Sequence, residues 1–530
     1  MKSPKKLIRE KLESLGYKSN FDVSVPVHDF GDYSTNVALV AREEPKDVKD
    51  KLMADKEIKE MFSKINVESN RFINFFLSDK FLQEALTEVI KSGPKYGNSD
   101  FGKKQKINVE FVSANPTGPL TIGNGRGGVF GDVLANVLNK VGFEVSREYY
   151  INDTGRQIKI LGESVARRYL QVGGKGIDFP EDNYQGEYIA DLAREMREKK
   201  VFHGSEDNFD ELADACRDFA LEKINGWIKE ALDKIGVKFD TWYSEKSLHE
   251  SGKVGDVLKA LKFGDMVYEK DNATWLKIDG GDDAVLIKST GDPTYLLADF
   301  AYSRDKFERG ADIIINIWGS DHHGDVARLK YGLTEGLGYK PEQIEIFLYQ
   351  HVTLKNAGKM SKRAGQFITL NKLTDDVGKD VVRYFFASKS QDTHMDFDLA
   401  LAKEESKQNP VFYIQYANAR INSLFNKIKD VNLEVGTDFS KLEEKEEMNL
   451  IKQMVILPDL LEDIAAKREV HQLANYALDL ANDFHSFYEK HKILTAEKKI
   501  AEARLGLIFG VHSVFKIVLG LLGISAPDRM

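Results

Sequence analysis

The stretch "PLTIGNGRGGVFGD" occupies Pro119–Asp132 and follows an apolar run, "KINVEFV", at 106–112. It holds five glycines and one arginine, and Gly123, Gly125 and Gly128 spell G-x-G-x-x-G. Three readings compete: a dinucleotide loop, a loop for another phosphate, and a glycine-rich turn. A dinucleotide fingerprint needs its first glycine directly after the strand, so that the turn delivers the pyrophosphate to the helix N-terminus. Here "SANPTGPLTI" intervenes. An acidic residue should also close the next strand about 20 positions on. Glu144 precedes "VSREYYI" instead of ending it. A Walker loop fails because no Gly-Lys-Ser/Thr ending follows. A third arrangement fits better. The strand ends, the chain turns through Pro116-Thr117-Gly118-Pro119, and a helix begins near Gly123. Free N–H groups and the helix dipole then face phosphates. Small residues let ATP approach the backbone, and Thr121 and Asn124 offer short donors to the phosphate chain.

Around this loop the chain alternates. Between about 105 and 370, "KINVEFV", "FEVSREYYI", "ADIIINIWG" and "EIFLYQHVTL" read as strands separated by helical patterns. That alternation predicts βαβ units around a parallel sheet. A charged, helix-rich stretch at about 160–260 reads as an insertion. Residues 1–85 read as a small α+β unit: a helix, then a loop, "PVHDFGDYSTNVAL", then a strand, "SNRFINFFLSD". From 371 the texture is helical. Leu473, Ala474, Ala477, Leu478, Ala481, Phe484, His485 and Tyr488 recur at three- and four-residue spacing, one face of an amphipathic helix.

Composition narrows the classes. A chain of 530 residues, 42% hydrophobic, suits about three globular domains. A single cysteine, Cys216, rules out a disulfide framework and cysteine-based zinc sites and fits a reducing cytoplasm. No apolar run suits a signal peptide or a membrane span. "GVHSVFKIVLGLLGI" carries Lys516 and reads as a buried helix. The net charge of −9 does not favour nucleic acid. Binding needs only a local basic face, however. The first 20 residues, with six Lys/Arg against two Glu, form either such a face or a solvated helix.

"SANPTGPLTIGNGRGGVFGD" resembles the first signature of class I aminoacyl-tRNA synthetases, which usually carry His-Ile-Gly-His where this chain has Thr121-Ile122-Gly123-Asn124. Both histidines are missing, as in the similar Thr-Ile-Gly-Asn form of the tryptophanyl members. The second phosphate loop of that class matches Lys359-Met360-Ser361-Lys362-Arg363. Two lysines three apart can follow the departing pyrophosphate, where negative charge accumulates. The resemblance implies ATP contacts from Gly118, Thr121, Gly123, Asn124, Gly125, Lys359, Met360, Ser361 and Lys362. Thr121, Asn124, Lys359 and Lys362 would serve catalysis.

Further motifs resemble the arginyl-tRNA synthetases: "YYINDTGRQI" (149–158), "FDTWYSEKSL" (239–248), "GDPTYLLADFAY" (291–302), "GSDHHGDVARLK" (319–330), "MDFDLALAKEESKQNPVFYIQYANARI" (395–421) and the closing "APDRM". "FGDYSTNVAL" and "FINFFLS" resemble that family's first domain. The implied architecture is an α/β chain. A Rossmann-like catalytic domain at 86–370 carries a helical insertion, between an α+β domain at 1–85 and a helical anticodon-binding bundle at 371–530. The implied substrates are L-arginine, ATP with Mg²⁺ and tRNA(Arg), with arginine activated only once tRNA is bound. A guanidinium site needs carboxylates in bidentate geometry. Glu110, in the strand before the loop, and Asp299, after "TYLL", are the candidates, with Asn115, Tyr295 and His322. Such a site rejects analogues without proofreading, so the insertion need not edit. Tyr413, Tyr416 and Arg420 could stack on unpaired tRNA bases or pack in the core. His322-His323 lack further ligands at metal spacing, so no structural metal is expected. A cytoplasmic monomer without membrane contact is expected. The missing histidines leave open a second reading, an RNA-binding or regulatory relative that does not aminoacylate.

Overall fold

The computed structural model describes residues 2–18, 20–26, 30–355, 368–427 and 437–530. Packing divides the chain into two compact units, Met1–Phe101 with Glu405–Met530, and Gly102–Glu404.

The first unit opens with helix α1 (Pro4–Ser14), capped by Ser3, whose side chain accepts from Lys6 N, with Pro4 at its first position. A four-stranded antiparallel sheet follows, in the order β1 (Val23–Ser24), β2 (Tyr33–Thr35), β4 (Ile73–Leu77), β3 (Phe62–Val67). Helices α2 (Val37–Ala41), α3 (Pro45–Met53) and α4 (Lys56–Met61) lie between its strands, and α5 (Asp79–Ser92) follows. The stretch expected to be a loop therefore contains β2 and the start of α2. Three strand residues are too few for a readable alternation.

The second unit is built on a five-stranded, all-parallel sheet. Its order is β12 (Ile344–Tyr349), β11 (Ile313–Gly319), β5 (Lys106–Phe111), β6 (Glu144–Ile151), β7 (Thr241–Ser244). From the central β5 the chain crosses through α6 (Ile122–Lys140) to β6, then through α7 (Gly155–Val172), α8 (Glu187–Glu198) and α9 (Phe209–Lys234) to β7. It continues through α10 (Glu245–Glu250) and α11 (Lys253–Phe263) into a separate antiparallel sheet of β8 (Val267–Lys270), β9 (Ala273–Leu276) and β10 (Ala284–Ile287). Helix α12 (Tyr295–Glu308) brings it back to β11, and α13 (His323–Tyr331) leads to β12. The winding direction reverses between β5 and β11. Open α/β sheets bind ligands at the carboxyl ends of the strands at such a switch point.

The expected insertion is helical, but it closes on β7, a strand of the main sheet. β7 has four residues, "TWYS", all partly buried, and so shows no alternation. The β8–β10 sheet was also not anticipated. Its first hairpin turns on Asp271 and Asn272, both in the left-handed region, which suits a tight two-residue connection.

Beyond β13 (Val352–Leu354), α14 (Leu370–Val377), α15 (Lys379–Ala387), β14 (Met395–Phe397) and α16 (Leu399–Ala402) complete the second unit. Residues 371–404, expected with the helical bundle, are held here by buried polar pairing. Arg383 of α15, fully buried, donates to Asp132 of α6 at 2.5 Å and to the Ile235 carbonyl at 2.9 Å.

The first unit resumes with α17 (Pro410–Phe425), α18 (Lys445–Lys467), α19 (His471–Lys490) and α20 (Lys498–Leu522). α20 is long and apolar enough to cross a membrane. Val511, Val514, Phe515 and Val518 lie in the unit's core, which agrees with the buried-helix reading. The basic face of α1 is spent within the unit. Lys5 pairs with Asp463 and Lys6 with Glu462 (2.8 Å), both on α18, while Lys11 reaches Asp55 (2.8 Å). Tyr33 Oη donates to the buried Asp459 at 2.8 Å.

Candidate active site

A cavity of about 1080 Å³ opens at the carboxyl ends of β5, β6, β11 and β12. The glycine-rich stretch forms one wall, and most of its glycines serve packing. A Cβ on Gly131 would meet the Phe111 ring at 2.3 Å, and one on Gly127 would meet Tyr349 at 2.7 Å. They let α6 lie against the strands beneath it. Gly125 faces Leu370 and does not line the cavity; neither does Gly118. Gly123 does.

The chain leaves β5 through two residues in the left-handed region, Val112 (φ 68°) and Ser113 (φ 36°). A β-branched residue there is strained. The turn is held by its surroundings: Ser113 Oγ donates to Glu110 Oε1 (2.8 Å) and accepts from Tyr150 N (3.1 Å), and Tyr149 Oη donates to the Ala114 carbonyl (2.9 Å). The "NPTGP" turn follows and is anchored by Tyr188 of α8, whose hydroxyl donates to the Thr117 carbonyl at 2.7 Å.

Thr121 caps α6. Its Oγ accepts from Asn124 N at 3.4 Å and donates to Asn124 Oδ1 at 2.9 Å, while Thr121 N also donates to that oxygen at 3.0 Å. This is a reciprocal capping box. The Asn124 amide also hydrogen-bonds Tyr349, whose hydroxyl burial pushes up to about 12. The entry to α6 is tied to the start of α14: Leu370 N donates to Leu120 O (2.8 Å), and Ile122 N donates to Ile368 O (3.3 Å). Lys359, Met360, Ser361 and Lys362 lie outside the described residues.

Opposite this helix end the cavity is acidic. One face of α12, with Tyr295, Asp299, Tyr302 and Ser303, lies along it. Asp299 is partly buried, and its carboxyl is held well above the ordinary carboxylate range by burial and by the carboxylates of Glu110, Glu245 and Asp325. Glu245, buried at the start of α10, is raised mainly by burial, with His249 opposing. In the amide orientation that matches donors to acceptors, Asn152 Nδ2 donates to Glu245 Oε2 at 2.9 Å and to the Thr154 carbonyl at 3.2 Å. Glu245 was not singled out from sequence, although it sits inside the "WYSEKSL" motif.

Glu110 is differently placed. It lies on the central strand and is buried, and Lys306 Nζ donates to its Oε2 at 2.6 Å and to Asn316 Oδ1 at 2.8 Å. Neither carboxylate oxygen lacks a partner. Lys306, seven residues beyond Asp299 on the same face of α12, was also missed. The two-turn spacing was the available signal. Beneath it, Arg309 forms a bidentate pair with the buried Glu148 (2.7 and 2.8 Å). Burial raises that carboxyl, but Arg309 and Lys306 bring it below its ordinary value.

Asn115 lines the cavity and donates to Gln157 Oε1 at 2.9 Å, while Tyr295 is half exposed at the rim. His322 is exposed, 3.6 Å from Asp325. Among the described residues no group of three His, Cys, Asp or Glu could hold a metal ion.

In the other unit, Tyr413, Tyr416 and Arg420 share one face of α17. The rings of Tyr413 and Tyr416 lie 4.4 and 5.6 Å from His485, and the Arg420 guanidinium sits 4.3 Å from the Tyr488 ring. All three are partly buried against α19.

Family models match almost the whole chain. They are the tRNA synthetases class I (R) catalytic domain over residues 85–422, the arginyl tRNA synthetase N terminal domain over 2–77, and the DALR anticodon binding domain over 414–530. The chain belongs to the arginyl-tRNA synthetase family. It is 42% identical to the arginine–tRNA ligase of Carboxydothermus hydrogenoformans over 517 residues, which cover 94% of this chain and 92% of that protein. It is 43% identical to that of Desulfitobacterium hafniense over 516 residues, with the same coverage. An arginyl-tRNA synthetase structure from Campylobacter jejuni superposes with a TM-score of 0.77 at 35% identity, covering 86% of this chain and all of that one. The Thermus thermophilus arginyl-tRNA synthetase shares the fold at a TM-score of 0.80 and 20% identity, over 99% of both chains. In this family's frame, the parallel sheet with its switch-point cavity is the class I catalytic core.

Proposed function

We infer that the chain is an ATP-dependent arginine–tRNA ligase whose cavity holds arginine and ATP side by side. The observation that carries this reading is the cation-poor recess of Asp299 and Glu245 facing the N-terminus of α6. Lys306 already serves Glu110. A planar guanidinium with five donors matches two carboxylates, one approached from α12 and one from α10. Tyr295 and Asn115 flank that position. The arginine carboxylate then points towards α6. It attacks the ATP α-phosphate, forming the acyl–phosphate bond and expelling pyrophosphate. A ribose hydroxyl of the tRNA's terminal adenosine next attacks the arginyl carbonyl and releases AMP. The protein supplies positioning and fixed donors rather than a nucleophile. Mg²⁺ brought in with the ATP would offset charge on the phosphate chain.

Because the Thr121 hydroxyl and the Asn124 carbonyl oxygen are engaged with each other, and Ile122 N and Asn124 N are also engaged, the donors left for phosphate are the Asn124 side-chain N–H not used on Tyr349 and the Gly123 backbone N–H. Thr121→Ala and Asn124→Ala are expected to lower kcat more than they raise KM for ATP. An unchanged kcat in both would remove their transition-state role.

The helical unit, with Tyr413, Tyr416 and Arg420, is the anticodon reader in this proposal, and the N-terminal domain contacts the tRNA elsewhere. We place the reaction in the cytoplasm. Charging of total tRNA with labelled arginine tests the ligase; no charging would favour an RNA-binding relative. Pyrophosphate exchange is expected only when tRNA is present, and equal rates with and without it would refute tRNA-gated activation.

A further inference from the structure

We propose that Arg126 is a positioning residue, setting the N-terminus of α6 against the β12–β13 and α15–β14 connections. Arg126 is 1% exposed, two residues beyond Asn124. Its guanidinium donates to three backbone carbonyls: Nη1 to Gln350 O at 2.9 Å, and Nη2 to Ser390 O at 2.7 Å and Thr393 O at 2.8 Å. Among the described residues no carboxylate pairs with it. Gln350 joins β12 to β13. Ser390 and Thr393 lie between α15 and β14, and Gln350 N donates to Gln391 O at 3.0 Å, so the two segments are knitted together. The entry to α6 is also tied to the start of α14 by the bonds at Leu120 and Ile122 described above.

Burying a guanidinium on neutral acceptors is costly, and an apolar residue of similar volume would fill the space without that cost. What an apolar residue cannot do is hold three carbonyls together. A rigid fork with five donors can, and a lysine ammonium does so less well. Arg126 therefore acts through the placement of Asn124 and of the β13 stem, without contact with substrate. The proposal rests on the α6 N-terminus being the ATP site.

The test compares full-length Arg126→Met and Arg126→Lys with the unaltered chain in tRNA-supported pyrophosphate exchange, together with calorimetric titration of arginine. Arg126→Met is expected to lower kcat by about 10²-fold, the scale of an ångström-sized misplacement. Arginine binding should stay within about two-fold, because its carboxylates lie on α10 and α12, and Arg126→Lys should restore part of the rate. A kcat within about two-fold of the unaltered chain in Arg126→Met would overturn the proposal. So would a loss of arginine binding in step with kcat, which marks general unfolding. Thr121→Ala and Asn124→Ala run alongside. If they impair kcat and Arg126→Met does not, only the positioning role fails. If they also leave kcat unchanged, the ATP-site reading fails.

Discussion

Asp299→Asn is expected to lower kcat/KM for arginine by about 10³-fold while leaving KM for ATP within about two-fold. The substitution keeps the shape of the carboxyl but removes the charge that meets the guanidinium in the proposed site. Truncating one partner of a buried charged pair costs 2–5 kcal/mol or more, and 10³-fold lies within that range. Asp299 also makes the free enzyme sensitive to pH. Burial, then Glu110, Glu245 and Asp325, hold its carboxyl well above the usual range. A raised carboxyl keeps its proton as pH rises past the ordinary carboxylate pKa, and the folded chain gains stability at low pH that it loses as pH climbs through the raised value. Arginine needs the ionised form, so its affinity should increase with pH through that same window. Thermal stabilisation by arginine, followed against pH, checks the sign. Asp299→Asn should flatten the dependence, and an unaltered slope in that variant would assign it to another group.

The second large effect concerns stability. Lys306→Met is expected to cost about 3–5 kcal/mol, since it leaves Glu110 as an uncompensated buried charge. Lys306 is 1% exposed and Glu110 4%. Denaturant unfolding measures the loss. Adding Glu110→Gln to Lys306→Met should recover much of it, because the double variant buries no charge. A double variant no more stable than Lys306→Met alone would mean that packing, not charge, sets the cost.

The strands around the glycine stretch were legible because their apolar runs are long and β-branched. β7 and the β8–β10 sheet were not, being four residues each. The candidate carboxylates were legible through family motifs, but their division of labour was not. Glu110 and Asp299 read alike in a string of letters. They differ because Lys306, seven positions along α12, reaches one and leaves the other. Glu245 lay inside a quoted motif and became visible only when folding brought β7 beside β6. The N-terminal lysines illustrate the opposite case. A basic cluster was plain in the sequence, but its acidic partners, Glu462 and Asp463, lie some 450 residues away, beyond any local pattern.

The reciprocal cap of Thr121 and Asn124 puts groups that do not titrate where the class I signature places imidazoles. An imidazole changes charge near neutrality, where its unperturbed pKa of about 6.5 lies. A hydroxyl and an amide stay neutral across the working range. At the α6 end these two positions therefore keep their charge state as pH changes, whereas Asp299, across the cavity, carries a carboxyl held above its ordinary range. Acidification through the window in which Asp299 takes up its proton is therefore expected to weaken arginine binding at the proposed site, with the capping pair itself unchanged.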